Sequence, residues 1–142
     1  MFESSDEENP TERLLSALAR EQVDFVLLAY QVAAGAVKRP GGVDFIVETV
    51  AAFTTGNMER LVRAVAPYHP RTSDGVPLGS TPAELAGCKS FSMLTDLAWL
   101  DVSHAAGGVD FEEIRANSFA RPTKEGSVRV ADPSDVISLV LP

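Results

Sequence analysis

The chain has few positive charges and almost no cysteine. Its 142 residues include 12 Lys and Arg against 20 Asp and Glu, which gives a formal net charge of −8. Binding along a nucleic acid or an anionic membrane requires clustered positive side chains. The sequence therefore predicts neither an extended nucleic-acid surface nor a membrane partner. The single cysteine, Cys88, excludes an internal disulfide and favours a reducing, cytoplasmic environment.

Long apolar runs are missing as well. None approaches the ~18 residues of a membrane span, and the stretch Met1 to Glu8 is acidic where a signal peptide would be basic. We therefore expect a soluble intracellular protein. A hydrophobic fraction of 45% over this length suits one domain with a core. We expect residues 1–8 to be a disordered acidic tail and residues 9–142 to form that domain.

Helical and extended patterns alternate along the rest of the sequence. Residues 9–12 match a capping box at a helix start, and the continuously apolar run 25–28 is typical of a strand buried on both faces. The predicted elements, in chain order, are a helix over 10–21, a strand over 25–28, a brief helix over 31–36, a strand over 43–47, a helix over 56–65, a helical turn after Pro82, a strand pair over 91–95 and 98–102, a helix over 111–117, a strand over 128–131 and a last helix from Asp132. Such interleaving predicts an α/β or α+β fold with a small mixed sheet flanked by helices.

Two stretches of this pattern bear on function. The stretch 25–47 is an apolar strand, a run of small residues, the basic Gly/Pro turn 38–42 and a second apolar strand with Asp44 at its mouth. The hairpin pattern 94–102 ends in a second strand acid, Asp101. In order and spacing these stretches resemble the nucleotidyltransferase superfamily, the polymerase-beta-like fold. The likeness is strongest to the small bacterial abortive-infection and toxin–antitoxin nucleotidyltransferases, and it covers about residues 11–140.

The resemblance implies two sets of site residues. Two acids match carboxylates that are catalytic and hold metal in the family: Asp44 and Asp101. Four residues match its nucleotide-binding positions: Ala29, Tyr30, Lys38 and Arg39. Family members transfer a nucleotide with two Mg²⁺ ions ~3.5–4 Å apart that carboxylates on adjacent strands hold. Magnesium is therefore the cofactor expected if the protein is active.

Several residues that this chemistry needs are replaced. The family motif Arg-x-Thr-x-Asp-x-Asp falls on residues 38–44, where Gly42 stands at the first carboxylate. Ala29 and Tyr30 stand at the family's Gly-Gly or Gly-Ser pair, where Tyr30 would put a ring in the place of the phosphate. Val140 falls where relatives often carry a lysine. A shifted register that makes Asp44 the first acid leaves Ile46 at the second. The resemblance therefore implies an eroded site, that is, a pseudoenzyme of the transferase fold.

Three functions stay open on this basis. The first is a catalytically degenerate nucleotidyltransferase-like protein that acts as a binding or interaction module, with a nucleotide or protein partner. The second is an active, toxin-like, Mg-dependent nucleotidyltransferase acting on RNA, protein or a small molecule, which needs a further acid such as Asp24 or Glu48 near Asp44 and Asp101. The third is an unrelated α/β interaction domain, in which Asp44 and Asp101 lie far apart.

Overall fold

The computed structural model describes residues 10–32, 45–72 and 78–132, and for residues 29–32 it describes the backbone. The elements, in chain order, are α1 (Pro10–Arg20), β1 (Phe25–Val32), β2 (Phe45–Ala51), α2 (Thr55–Val65), a 3-10 turn (Ala66–Tyr68), α3 (Pro82–Ala86), β3 (Ser90–Leu94), β4 (Trp99–Ser103), β5 (Ala105–Ala106), β6 (Val109–Asp110), α4 (Phe111–Ala116), β7 (Phe119–Thr123) and β8 (Gly126–Val130). No helix in these ranges is long and apolar enough to cross a membrane.

Six of the strands form one open, mixed sheet in the order β3-β4-β2-β1-β8-β7. The pairs β2–β4 and β1–β8 are parallel, whereas β1–β2, β3–β4 and β7–β8 are antiparallel. Strands β5 and β6 make a separate two-stranded hairpin. The predicted mixed α/β architecture, a mixed sheet flanked by helices, is confirmed.

The two faces of the sheet differ in what covers them. Side chains alternate between faces along a strand, so Val47, Leu100 and Val102 point to one side, which we call the helical face. There they join the main core with side chains from the first two helices: Leu14, Leu15, Leu18, Met58, Leu61 and Val65. The opposite side, the cleft face, holds a smaller core under α4, made of Val26, Leu28, Val50, Phe111, Ile114 and Ala131.

Local sequence explains where the short helices begin. Thr54 precedes α2 and its side chain accepts a hydrogen bond from the backbone of Asn57 at 3.1 Å. Thr81 and Glu84 form a reciprocal capping box at α3, and the side chain of Asp110 caps α4. Each cap satisfies backbone N–H groups that have no partner inside their helix. Helices of five or six residues need such caps because they have few internal hydrogen bonds.

The structure corrects three parts of the predicted secondary structure. The brief helix predicted over 31–36 is wrong at its start, because Gln31 and Val32 belong to β1 and pair with β2. β2 extends to Ala51, four residues past its predicted end at Val47. The hairpin β5–β6 and strand β7 were not predicted. Pro122 lies within β7, where it is tolerated because β7 is an edge strand of the sheet. The predicted tail, the Asn9 cap and the helix over 133–142 lie outside the described residues.

Candidate functional site

An open cleft of about 490 Å³ lies over β2, β3 and β4 on the cleft face of the sheet. Its lining is mainly polar: Glu48, Thr49, Ser90, Ser92, Asp101 and Ser103, with Leu28, Ala105, Ala106 and Gly107 at its apolar side. We call it the Asp101 cleft. The acid that the sequence singled out in the 94–102 hairpin therefore lies in a cavity that a small ligand can enter.

Strand register brings three polar side chains of this cleft side by side. In the parallel pair β2–β4, Glu48 is the partner of Asp101, and in the antiparallel pair β3–β4, Ser92 is the partner of the same residue. Partners on neighbouring strands, ~4.8 Å apart, carry their side chains on the same face. Two carboxylates and one hydroxyl thus form a row across three strands.

Asp101 is held in one orientation by two donors. Its Oδ1 accepts hydrogen bonds from Ser92 Oγ at 2.5 Å and from Trp99 Nε1 at 2.7 Å. Trp99 lies two residues earlier on β4 and so projects from the same face. Oδ2 accepts no hydrogen bond from any residue that the structure describes. One oxygen is therefore fixed by the protein, and the other has its lone pairs open to a ligand.

The strands under the cleft are irregular at the level of these acids. The pairing of β1 with β2 shifts between Leu27, opposite Thr49, and Ala29, opposite Glu48, which is a β-bulge at Leu28. Leu28 lines the cleft, and Thr49 donates its hydroxyl to the backbone carbonyl of Asp101 at 2.9 Å. Bulges bend a strand and redirect its side chains, and they are common beside functional sites.

A tight hairpin forms one wall of the cleft. Ala105 and Ala106 of β5 and the turn residue Gly107 line it. Gly107 and Gly108 both have positive φ, 57° and 83°, which a two-residue hairpin turn of this kind requires and which glycine adopts at little cost. The small side chains of this wall leave the space above Asp101 open.

The predicted site residues are placed unevenly. Asp101 lies in the cleft. The backbones of Ala29 and Tyr30 lie on β1, opposite Glu48 and Val47 of the strand next to β4. Asp44, Lys38 and Arg39, like Gly42, lie outside the described residues, so the pairing of Asp44 with Asp101 in one site, which the resemblance implies, stays a prediction. β2, which follows Asp44 directly in the sequence, and β4 are parallel neighbours.

Asp24 and Glu48, the two candidates for the further acid that an active enzyme would need, lie in different cavities. Glu48 lines the Asp101 cleft and is the register partner of Asp101. Asp24 does not line it, since its Oδ1 accepts a hydrogen bond from Arg115 Nε at 3.0 Å beside a different cavity. In the sequence, Glu48 follows Asp44 at an even spacing of four residues, which on a strand puts side chains on one face, and this spacing is the signal that favours Glu48 over Asp24.

Metal-binding capacity depends on how many acids converge. In the described ranges, no group of three or more His, Cys, Asp or Glu is placed to hold a metal ion. Glu48 and Asp101 are a pair of hard oxygen donors, the ligand type that Mg²⁺ prefers. A magnesium ion commonly completes its coordination shell with waters and substrate phosphates. The described part of the cleft could therefore hold a magnesium ion that arrives with a nucleotide.

Comparison with known proteins gives no match to this chain among family models, curated proteins or solved structures.

Proposed function

We propose that this protein is a nucleotidyltransferase-like domain that has lost catalysis and acts as a binding or interaction module, with the Asp101 cleft as its binding site. The observation that carries the proposal is the row formed by Glu48, Asp101 and Ser92 across three adjacent strands. An oriented carboxylate with one open oxygen, next to a second acid, is suited to a ligand that brings a divalent cation.

The chemical class of ligand follows from the cleft and from the resemblance together. A cavity of about 490 Å³ is in the range of small-molecule sites. The Asp101 carboxylate repels a bare phosphate and attracts a metal-complexed one. We therefore propose a nucleoside triphosphate with Mg²⁺ as the small-molecule ligand. We propose that nucleotide transfer is lost because Gly42 offers no carboxylate where the family has its first metal ligand.

One test separates binding from catalysis. Isothermal titration of the full chain with ATP and Mg²⁺ should give saturable heat, and Asp101→Asn should weaken binding because the metal loses a charged ligand. Incubation with labelled nucleoside triphosphates, Mg²⁺ or Mn²⁺, and bulk RNA or protein should give no labelled product. The control is Asp96→Asn, an exposed acid outside the cleft. Absence of nucleotide binding to the wild type would contradict the proposal.

The second candidate is an active, toxin-like, Mg-dependent nucleotidyltransferase. It is favoured by one observation, the position of Glu48 beside Asp101, because Glu48 could replace the acid that Gly42 fails to supply. This candidate predicts labelled RNA, protein or small-molecule product from the wild type. It also predicts that Glu48→Gln and Asp101→Asn each abolish that product while Asp96→Asn does not.

A further inference from the structure

A second cleft, of about 500 Å³, lies at the start of β1 between the ends of α1 and α4 and the β7–β8 hairpin. None of its lining residues lines the Asp101 cleft. Three arginines from three different elements line it: Arg20 of α1, Arg115 of α4 and Arg129 of β8. We call this cavity the arginine cleft.

Two of the three guanidinium groups are fixed by hydrogen bonds. Arg129 donates its Nε to Ser118 Oγ at 2.9 Å and its Nη2 to the Ser118 carbonyl at 2.5 Å. Ser118 Oγ in turn donates to the carbonyl of Arg115 at 2.6 Å, and Arg115 Nε donates to Asp24 Oδ1 at 3.0 Å. These bonds join β8, the end of α4 and the start of β1, so both side chains are positioned before any ligand arrives.

The same bonds leave donors unused. Both terminal nitrogens of Arg115, and Nη1 of Arg129, have no hydrogen-bond acceptor among the residues that the structure describes. Arg20 is half exposed and is 3.6 Å from Glu21 through its Nε. A guanidinium group carries five N–H donors and keeps its charge at all physiological pH values. The cleft therefore offers several charged N–H donors that have no hydrogen-bond partner among the described residues.

The residues that line the cleft carry a net charge of +1, opposite in sign to that of the whole chain. The lining has three arginines and two acids, Asp24 and Glu125, and Asp24 is already paired with Arg115. The complete chain carries −8 and has only 12 Lys and Arg. Three of these positive residues come from separated parts of the sequence and line one cavity. The cavity is therefore a favourable place for an anion.

We propose that the arginine cleft binds a small phosphorylated molecule and holds its phosphate group between Arg115 and Arg129. Guanidinium groups bind phosphate through paired charge-assisted hydrogen bonds. Donors from two separate guanidinium groups suit the several terminal oxygens of a phosphate better than the two oxygens of a carboxylate. Gln22 and Ser127, which also line the cavity, supply neutral polar groups for the rest of the ligand. A volume of about 500 Å³ leaves room for a sugar-sized body.

The experiment is a ¹H–¹⁵N NMR titration of the full chain with ribose 5-phosphate, ribose and inorganic phosphate at constant ionic strength. Ribose 5-phosphate should cause saturable shifts around residues 20–24, 115–118 and 125–129, and ribose should cause none. Equal affinity for inorganic phosphate would show that the cleft recognises the phosphate alone. Tighter binding of ribose 5-phosphate would show that the sugar also contributes.

The chain offers a matched pair of variants. Arg20 and Arg63 both lie beside Glu21, at 3.6 and 3.8 Å, but only Arg20 lines the cleft. Arg20→Met should weaken ribose 5-phosphate binding roughly three- to tenfold, which is the effect of one exposed charged donor. Arg63→Met should leave it unchanged, because Arg63 does not line the cleft. The dispersion of each spectrum verifies that the variant is folded.

Three results would overturn the inference. They are no saturable shift with either phosphate compound, the same shifts with ribose, or equal weakening by Arg20→Met and Arg63→Met. In the last case the ligand would respond to overall charge and not to this cavity.

Discussion

The two faces of the sheet are built from alternate residues of the same strands, yet one carries the main core and the other holds an open cleft. On β4, Leu100 and Val102 are buried in the main core of the helical face, whereas Trp99, Asp101 and Ser103 between and beside them face the cleft side. Among the helices that the structure describes, α1, α2 and α3 pack on the first face and α4 packs on the second. The helical face holds the main core, whereas on the cleft face the described residues leave the Asp101 cleft open.

The largest expected effect tests this division on adjacent residues. Leu100→Ala should lower the free energy of unfolding by roughly 2–5 kcal/mol, because the fully buried side chain leaves a cavity. Asp101→Asn, one residue later, should cost less than ~1 kcal/mol, since an amide oxygen can still accept from Ser92 and Trp99. Urea unfolding followed by circular dichroism measures both. Comparable losses for the two variants would contradict the division between faces.

A smaller effect is expected at a buried polar residue on the covered side. The Asn57 side chain is 1% exposed and bonds to the backbone N–H and carbonyl of Asp24, at 2.7 and 3.0 Å, and to the carbonyl of Ala52 at 2.8 Å. Asn57→Ala would leave these groups without partners and should cost roughly 2–3 kcal/mol. Asn117→Ala is the matched control, because Asn117 is exposed and makes one long bond of 3.3 Å. Equal costs in thermal melts would show that Asn57 does not tie α2 to the strand ends.

The smallest expected effect is a pH dependence at the exposed edge of the fold. The hydrogen bond from His69, at 2.6 Å, is the main reason that the pKa of Asp96 is held below its usual value, with help from Arg71. A carboxyl group with a lowered folded-state pKa stabilises the protein above the unfolded pKa, near 3.8, and this contribution is lost as the pH falls through the folded value. The contribution of Asp96 to stability should be below ~1 kcal/mol because Asp96 and His69 are both exposed.

Asp96→Asn checks this pH dependence. The variant should lose stability relative to the wild type at neutral pH, and the difference should shrink as the pH falls below about 3.8. Thermal melts at a series of pH values give the comparison. A difference that grows toward acid pH would mean that the sign of the linkage is wrong.

Local pattern was enough to predict the parts of the fold that depend on one segment. The strand at β1, helix α2, the helical turn after Pro82 and the helix at α4 each follow from neighbouring residues. The helix wrongly predicted over 31–36 had short-range helical signals, but pairing of β1 with β2 as far as Val32 overrides them. β7 escaped prediction because Pro122 is atypical of a strand, and only its place at the sheet edge permits it.

The candidate site was predictable in part, for a related reason. Asp101 was identified from the sequence through its resemblance to a family pattern and its place in an apolar strand. Its neighbours depend on register between strands: Glu48 is 53 positions away in the chain, and the parallel pairing of β2 with β4 brings it alongside. The hydrogen bonds that Ser92 and Trp99 donate to Asp101 likewise depend on side-chain geometry, which a sequence does not give. The arginine cleft, assembled from α1, α4 and β8, has no signal in any single segment.

The most direct measurement of the central claim uses Trp99. It is the only tryptophan in the chain, and its Nε1 donates to Asp101 Oδ1, so its fluorescence reports on the cleft. Titration of the wild type with ATP and Mg²⁺ should give a saturable change. Asp101→Asn should shift its midpoint by about tenfold or more, as loss of a charged metal ligand would, while Asp96→Asn should not. No change in Trp99 emission, or the same midpoint in all three proteins, would contradict the claim that the Asp101 cleft is the binding site.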